Sequence, residues 1–179
     1  MKKSLSLFLL AAFLFLCSFA PAAWVSFESK AGRYKVTMPA KPQESTSDVA
    51  TAIGPLTMNV AMLETDAGEV KMFMSVYMDY PDSLINSGAS KAQLDEFFTS
   101  VMNGAAQNVN GTLAKKAVIS YKNYPGRHIW VNMEDKGATL EMETFLVKNR
   151  MYVLQTGYMT GSKNIAAVNQ FFNSFQITP

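Results

Sequence analysis

Between Glu69 and Tyr80 the chain alternates apolar and polar residues, with Val70, Met72, Met74, Val76, Met78 and Tyr80 on one side. A period of two held over that length describes a β-strand with one buried face, since successive side chains of a strand point to opposite sides. Whatever else the chain does, it builds a sheet around this segment.

The flanking sequence supplies the other strands. Trp24–Glu28 and Arg33–Met38 surround the turn Ser29-Lys30-Ala31-Gly32 and read as a hairpin, stopped by Pro39 and Pro42. Gln43–Thr51 is polar and fits an edge strand. After the turn at Ile53-Gly54-Pro55, Leu56–Glu64 places Leu56, Met58, Val60 and Met62 on one face. Further strands are predicted at Thr112–Tyr121, Arg127–Glu134, Ala138–Lys148 and Met151–Tyr158, with turns at Asp135-Lys136-Gly137 and Asn149-Arg150. Ser90 with Gln93 forms a capping-box pattern ahead of a helix over Lys91–Asn108, whose apolar stripe is Leu94, Phe97, Phe98, Val101 and Ala105. Gly161-Ser162 opens a second helix with Ile165, Val168, Phe171, Phe172 and Phe175. Connections this short cannot make parallel crossovers. The expected class is therefore α+β, a largely antiparallel β-sheet with two amphipathic helices packed on its apolar face.

The first residues read differently. Lys2 and Lys3 precede an apolar run from Leu5 to Phe19, and Ala20-Pro21-Ala22-Ala23 follows. A run of about fifteen residues is short of the roughly 20 that span a bilayer. The pattern is that of a secretion signal over residues 1–23 cut near Ala22, leaving a single domain over 24–179 that is secreted or periplasmic and has no membrane span. Lipid anchoring at Cys17 fits less well, because Leu16 is not the small residue a lipobox requires. Cys17 is the only cysteine, so a processed chain has no thiol for disulfides, clusters or nucleophilic attack. Without Lys2 and Lys3 the chain carries 14 basic and 14 acidic residues. Neutrality at that level gives no field to attract nucleic acid, and none is expected as a partner.

In order, the segments from Phe27-Glu28-Ser29 through Gly32-Arg33-Tyr34-Lys35-Val36 to Met38-Pro39, then Tyr77-Met78-Asp79-Tyr80-Pro81, Tyr124-Pro125-Gly126-Arg127, Phe145–Tyr152 and Phe171-Phe172-Asn173-Ser174-Phe175 resemble the PsbP-like fold. That fold is named for an extrinsic subunit of the photosynthetic oxygen-evolving complex, and it recurs in small secreted or lipid-anchored bacterial proteins. The resemblance implies an antiparallel sheet with flanking helices and a mostly non-enzymatic role. It carries over no functional residue.

Chemistry-bearing residues are sparse. His128 is the only histidine, so a hydrolytic triad would have to use it. No Gly-x-Ser-x-Gly elbow accompanies it, and the expectation is a surface histidine packed on an aromatic. Asp79 and Asp82 bracket Tyr80-Pro81 and read as turn formers rather than Ca²⁺ ligands. Glu141 and Glu143 share a strand face and read as a solvated pair. The chain has twelve methionines. Met58, Met62, Met72, Met74 and Met78 fall where core residues are wanted, so packing explains them better than Cu(I) ligation. No metal and no cofactor are expected. Opposite the methionine face, Phe73, Tyr77, Trp130 and Tyr152 stand with His128 among polar groups, a pattern expected of a recognition surface. The covered alternative is an aromatic face shielded by the chain's own N-terminal segment, a loop or a helix. The function expected is a non-catalytic binding or assembly accessory of the cell envelope, with another envelope protein or a second copy as partner. The alternatives are a small secreted hydrolase using His128 and a carrier of an apolar ligand.

Overall fold

The alternating segment forms β5 (Val70–Asp79), with β4 (Gly54–Glu64) and β9 (Arg150–Met159) paired antiparallel on either side. A computed structural model describes residues 23–51, 54–162 and 166–179. The expected signal over 1–23, with Cys17 and the cleavage near Ala22, lies outside the described residues apart from Ala23, as does Ile165. The remaining elements are β1 (Val25–Ser29), β2 (Tyr34–Met38), β3 (Gln43–Thr51), α1 (Lys91–Asn108), β6 (Thr112–Tyr121), β7 (Tyr124–Met133), β8 (Ala138–Val147), α2 (Ala166–Asn173) and β10 (Gln176–Ile177). Seven strands make one sheet in the order β3-β4-β5-β9-β8-β7-β6, and β1-β2-β10 make a second. Every neighbouring pair is antiparallel. The polar segment Gln43–Thr51 is an edge strand, as its composition implies.

Local chemistry explains the element ends. The Ser90 side chain accepts from the Gln93 amide, and the Gln93 side chain accepts from the Ser90 amide, so the capping box starts α1. The β7–β8 connection is one 3₁₀ turn, Glu134–Lys136, closed by Gly137 at φ +57°, a left-handed conformation that glycine adopts without a Cβ clash.

The helices lie on opposite faces of the large sheet, not together on one. Met102 and Ala106 of α1 pack with Val76, Ile129, Val131 and Met142. On the other side, β1, β2 and α2 bring Phe27, Tyr34, Val36, Val168 and Phe171 against Phe73, Phe145, Tyr152 and Leu154. The molecule is thus three layers: α1, the seven-stranded sheet, and the small sheet with α2. The physical reason is that both faces of the large sheet carry enough apolar area to need cover. One helix cannot supply both.

Three details depart from the sequence reading. The register shifts between Val70 and Met72, so Val70 packs with the β1–β2 side and the methionines with the α1 side. On α1 the fully buried residues are Phe98, Met102 and Ala106, and Leu94, Phe97, Val101 and Ala105 flank them half-buried. The five methionines expected in the core are at its margin: Met58, Met72, Met74 and Met78 are half-buried, and Met62 is 37% exposed.

Candidate functional site

The sequence-predicted set divides into a buried group and a polar cluster. Phe73 is 1% exposed and Tyr152 3%. Phe73 meets Trp24 and Phe171 edge-on at 5.6 and 5.5 Å. The Tyr152 hydroxyl donates to the Gly32 carbonyl at 2.8 Å, tying the β1–β2 turn to the sheet. Burial raises the Tyr152 phenol above its ordinary value, more than Arg150 lowers it. Tyr34 reaches across the layer to Ser75 at 2.8 Å, and desolvation pushes its phenol up to about 12. Tyr77 is half-buried beneath the Arg150 guanidinium, 4.8 Å from the ring centre. Asp79 takes two hydrogen bonds from that guanidinium, each 2.6 Å, which accounts for this carboxylate as an ion-pair partner. Of the two arrangements expected for this face, the covered one holds over Phe73 and Tyr152, which lie under the chain's own hairpin and second helix.

His128 and Trp130 belong to the second group. Residues two apart on β7 share a face, so their rings stack at 3.8 Å with 22° between planes. Phe172 of α2 stands edge-on to His128 at 5.6 Å. Strand pairing sets His128 opposite Glu143 and Trp130 opposite Glu141. His128 Nε2 donates to Glu141 Oε1 at 2.7 Å, a diagonal cross-strand contact, and Nδ1 lies 3.4 Å from Glu143 Oε1. Tyr158 of β9 donates its hydroxyl to Glu141 Oε2 at 2.6 Å. On the outer side of the strand pair, Lys115 of β6 stands over the Trp130 ring at 4.3 Å. The imidazole packs on an aromatic as expected, but its side chain is 17% exposed, part-buried rather than on the open surface.

The expected solvated glutamate pair is not solvated. Glu141 is 5% exposed and Glu143 half-buried. Burial alone would raise the Glu141 carboxyl, yet the hydrogen bonds from His128 and Tyr158 hold it below the ordinary carboxylate value. Glu143 goes the other way: desolvation raises it, the charge on Glu141 adds to that, and His128 only partly offsets both. Burial and the Glu141 bond raise Tyr158 far above an ordinary phenol.

This cluster is occupied by its own partners. Both imidazole nitrogens face carboxylates of the same chain, so neither is directed at a hydroxyl nucleophile. Ser120, the nearest candidate along β6, pairs with Pro125, whereas His128 pairs with Ala117. Three residues of strand separate the two positions by about 10 Å. The sequence reading missed the Glu141–Tyr158 bond because its partners are seventeen residues apart on separate strands. The signal available was the shared strand face of His128 and Trp130 beside the Glu141 and Glu143 pair.

No protein-family model matches the chain, and no curated protein matches it in sequence. Among solved structures, cyanobacterial PsbP (CyanoP) from Synechocystis sp. PCC 6803 superposes with a TM-score of 0.54 at 8% identity, over 89% of this chain and 95% of that one. A protein from Bacteroides thetaiotaomicron aligns with a TM-score of 0.42 at 8% identity, over 86% of this chain and 48% of that chain. The antiparallel sheet with its two helices, superposed over nearly the whole of the cyanobacterial protein, gives this chain the PsbP-like fold.

Proposed function

We propose that the protein is a non-catalytic binding or assembly accessory of the cell envelope, acting in the periplasm or outside the cell. The observation that supports it most is the state of the single imidazole. His128 is held between Glu141 and Glu143, with Trp130 stacked on it and Phe172 against its edge. A general base needs a free nitrogen within hydrogen-bond reach of the proton it takes. The His128 nitrogens are spent on the chain's own carboxylates, so the residue organises the β7–β8–α2 junction.

The carrier alternative needs open space between sheet and helix. Under α2, Val168, Phe171, Phe172 and Phe175 are buried against the sheet. The cavity of about 340 Å³ beside them is lined in part by Ser120, Glu143 and Asn173, a polar wall that does not suit an apolar ligand. The apolar side chains left to solvent stand at the margins, with Met62 on β4, Val118 on β6 and Met159 at the end of β9.

The test uses the full chain expressed in its native envelope. Reversible crosslinking and affinity recovery should yield one partner in stoichiometric amount, retained by His128→Gln. Hydrolysis of generic ester or peptide substrates that His128→Gln abolishes would contradict the reading.

A further inference from the structure

We infer that the outer edge of β6, with the trough between it and α1, is a docking site for an extended acidic segment of a partner protein; the inference rests on the binding reading above and names its surface. β6 is the last strand of the large sheet, so among the described residues no strand pairs with the backbone groups on its outer side. Two cavities of about 500 and 360 Å³ meet at Val118. Leu94, Thr99 and Met102 of α1 form one wall, and Lys116, Val118 and Ser120 form the other. Val118 is 79% exposed, the most exposed large apolar residue among those described. An open strand edge bearing a bare apolar residue is a template for another strand. A strand added there would lie about 4.8 Å outside β6 and set every second side chain over the trough against α1.

Charge selects the occupant. From Thr112 to Asn123 the chain carries Lys115, Lys116 and Lys122 and no acidic residue. The one carboxylate in the trough, Asp95, is paired with Lys91 and with Arg127. A strand with acidic side chains meets Lys116 and Lys122 in the trough. Lys122 lies over the Tyr121 ring at 5.5 Å, and none of the three lysines of this segment has a carboxylate partner among the described residues. A basic strand, or a second copy's own β6, brings like charge against the same lysines and is disfavoured, and a neutral strand lacks the ion pairs an acidic one would gain. The edge at the other end of the sheet differs: β3 carries Glu44 and Asp48, and Asp48 is bonded to Thr57 of its neighbour.

The experiment titrates the full chain with an eight-residue peptide alternating glutamate and valine, read by fluorescence anisotropy and by backbone amide shifts. Saturable binding is expected, strengthened at low salt, with shifts confined to β6 and to the first three turns of α1. Val118→Glu should bind about tenfold more weakly with an unchanged melting temperature, because the residue is exposed. The double variant Lys116→Glu with Lys122→Glu should reverse the preference toward a peptide alternating lysine and valine. Equal binding of both peptides by the unaltered protein overturns the inference. So do shifts mapped to another surface, no binding at millimolar peptide, or a dimer that Val118→Glu dissolves. An envelope partner retained by Val118→Glu would leave the binding reading standing and remove this surface from it.

Discussion

Phe73→Ala tests whether the aromatic face is covered from within. The side chain is 1% exposed and held edge-on by Trp24 and Phe171, so truncation leaves a cavity bounded by three elements. Truncating a buried phenylalanine costs about 3–5 kcal/mol. In a domain of this size each kcal/mol lowers the melting temperature by about 2–4 °C, so the expected drop is roughly 6–20 °C. Urea unfolding followed by far-ultraviolet circular dichroism measures the cost directly, and an unchanged m-value shows that the unfolded reference has not moved. Val118→Ala, at an exposed site, is the control and should change stability by less than about 0.5 kcal/mol. A loss below about 1 kcal/mol for Phe73→Ala would show that the residue is not buried to this degree, since that is the scale of ordinary substitutions. The hairpin cover, and with it the assignment of this face to the core, would then fail.

Glu141→Gln removes a buried charge that accepts from His128, Tyr158 and Trp130 and should cost about 1–3 kcal/mol in urea unfolding at neutral pH. Because the Glu141 carboxyl is held below its unfolded value, its contribution is present above the ordinary carboxylate value and lost as pH falls through the lowered one. A pH series of melts should therefore show a flatter acid limb in Glu141→Gln than in the unaltered protein. Glu143 has the opposite sign: its raised value means its contribution is complete below the ordinary carboxylate value and lost as pH rises through the raised one. Glu143→Gln should accordingly abolish the gain in stability between neutral and mildly acidic pH, and be no less stable than the parent at neutral pH. At Gly32 a Cβ would come within 2.7 Å of Ser29 Oγ and of the Tyr34 and Tyr77 rings. Gly32→Ala should then lower stability by about 1–3 kcal/mol through overpacking, measured by calorimetry.

Local signals carried most of the secondary structure. The period of two in β5, the turn residues of the β1–β2 hairpin and the Ser90–Gln93 capping box each fix their element without help from distant residues. What was hidden depends on pairing over long sequence distances. Alternation shows that β5 has two kinds of face but not which layer covers each. The polar residues scattered among Phe73, Tyr77 and Tyr152 left an open and a covered face equally compatible with the sequence, and Phe73 and Tyr152 lie under β1, β2 and α2. Glu141 and Glu143 looked solvated for the same reason. A buried carboxylate can be recognised only when its donors are known, and Tyr158 comes from a neighbouring strand. The Val70–Met72 bulge escaped because Val70 is as apolar as the residues it departs from. β10 is two residues long and pairs only with β2, too short for any period to show.

We propose that this PsbP-like domain binds a partner at a sheet margin and that His128 serves the packing of its own strands. Hydrogen–deuterium exchange, followed by mass spectrometry on the full chain alone and in the complex recovered from its envelope, tests this proposal. Slowed amide exchange is expected in β6 and the facing turns of α1 when the partner is bound. The β1–β2 hairpin and the β7–β8 strands around His128 should exchange as they do in the free protein. Protection that skips β6 and appears instead over the hairpin, α2 or the His128 cluster would contradict it.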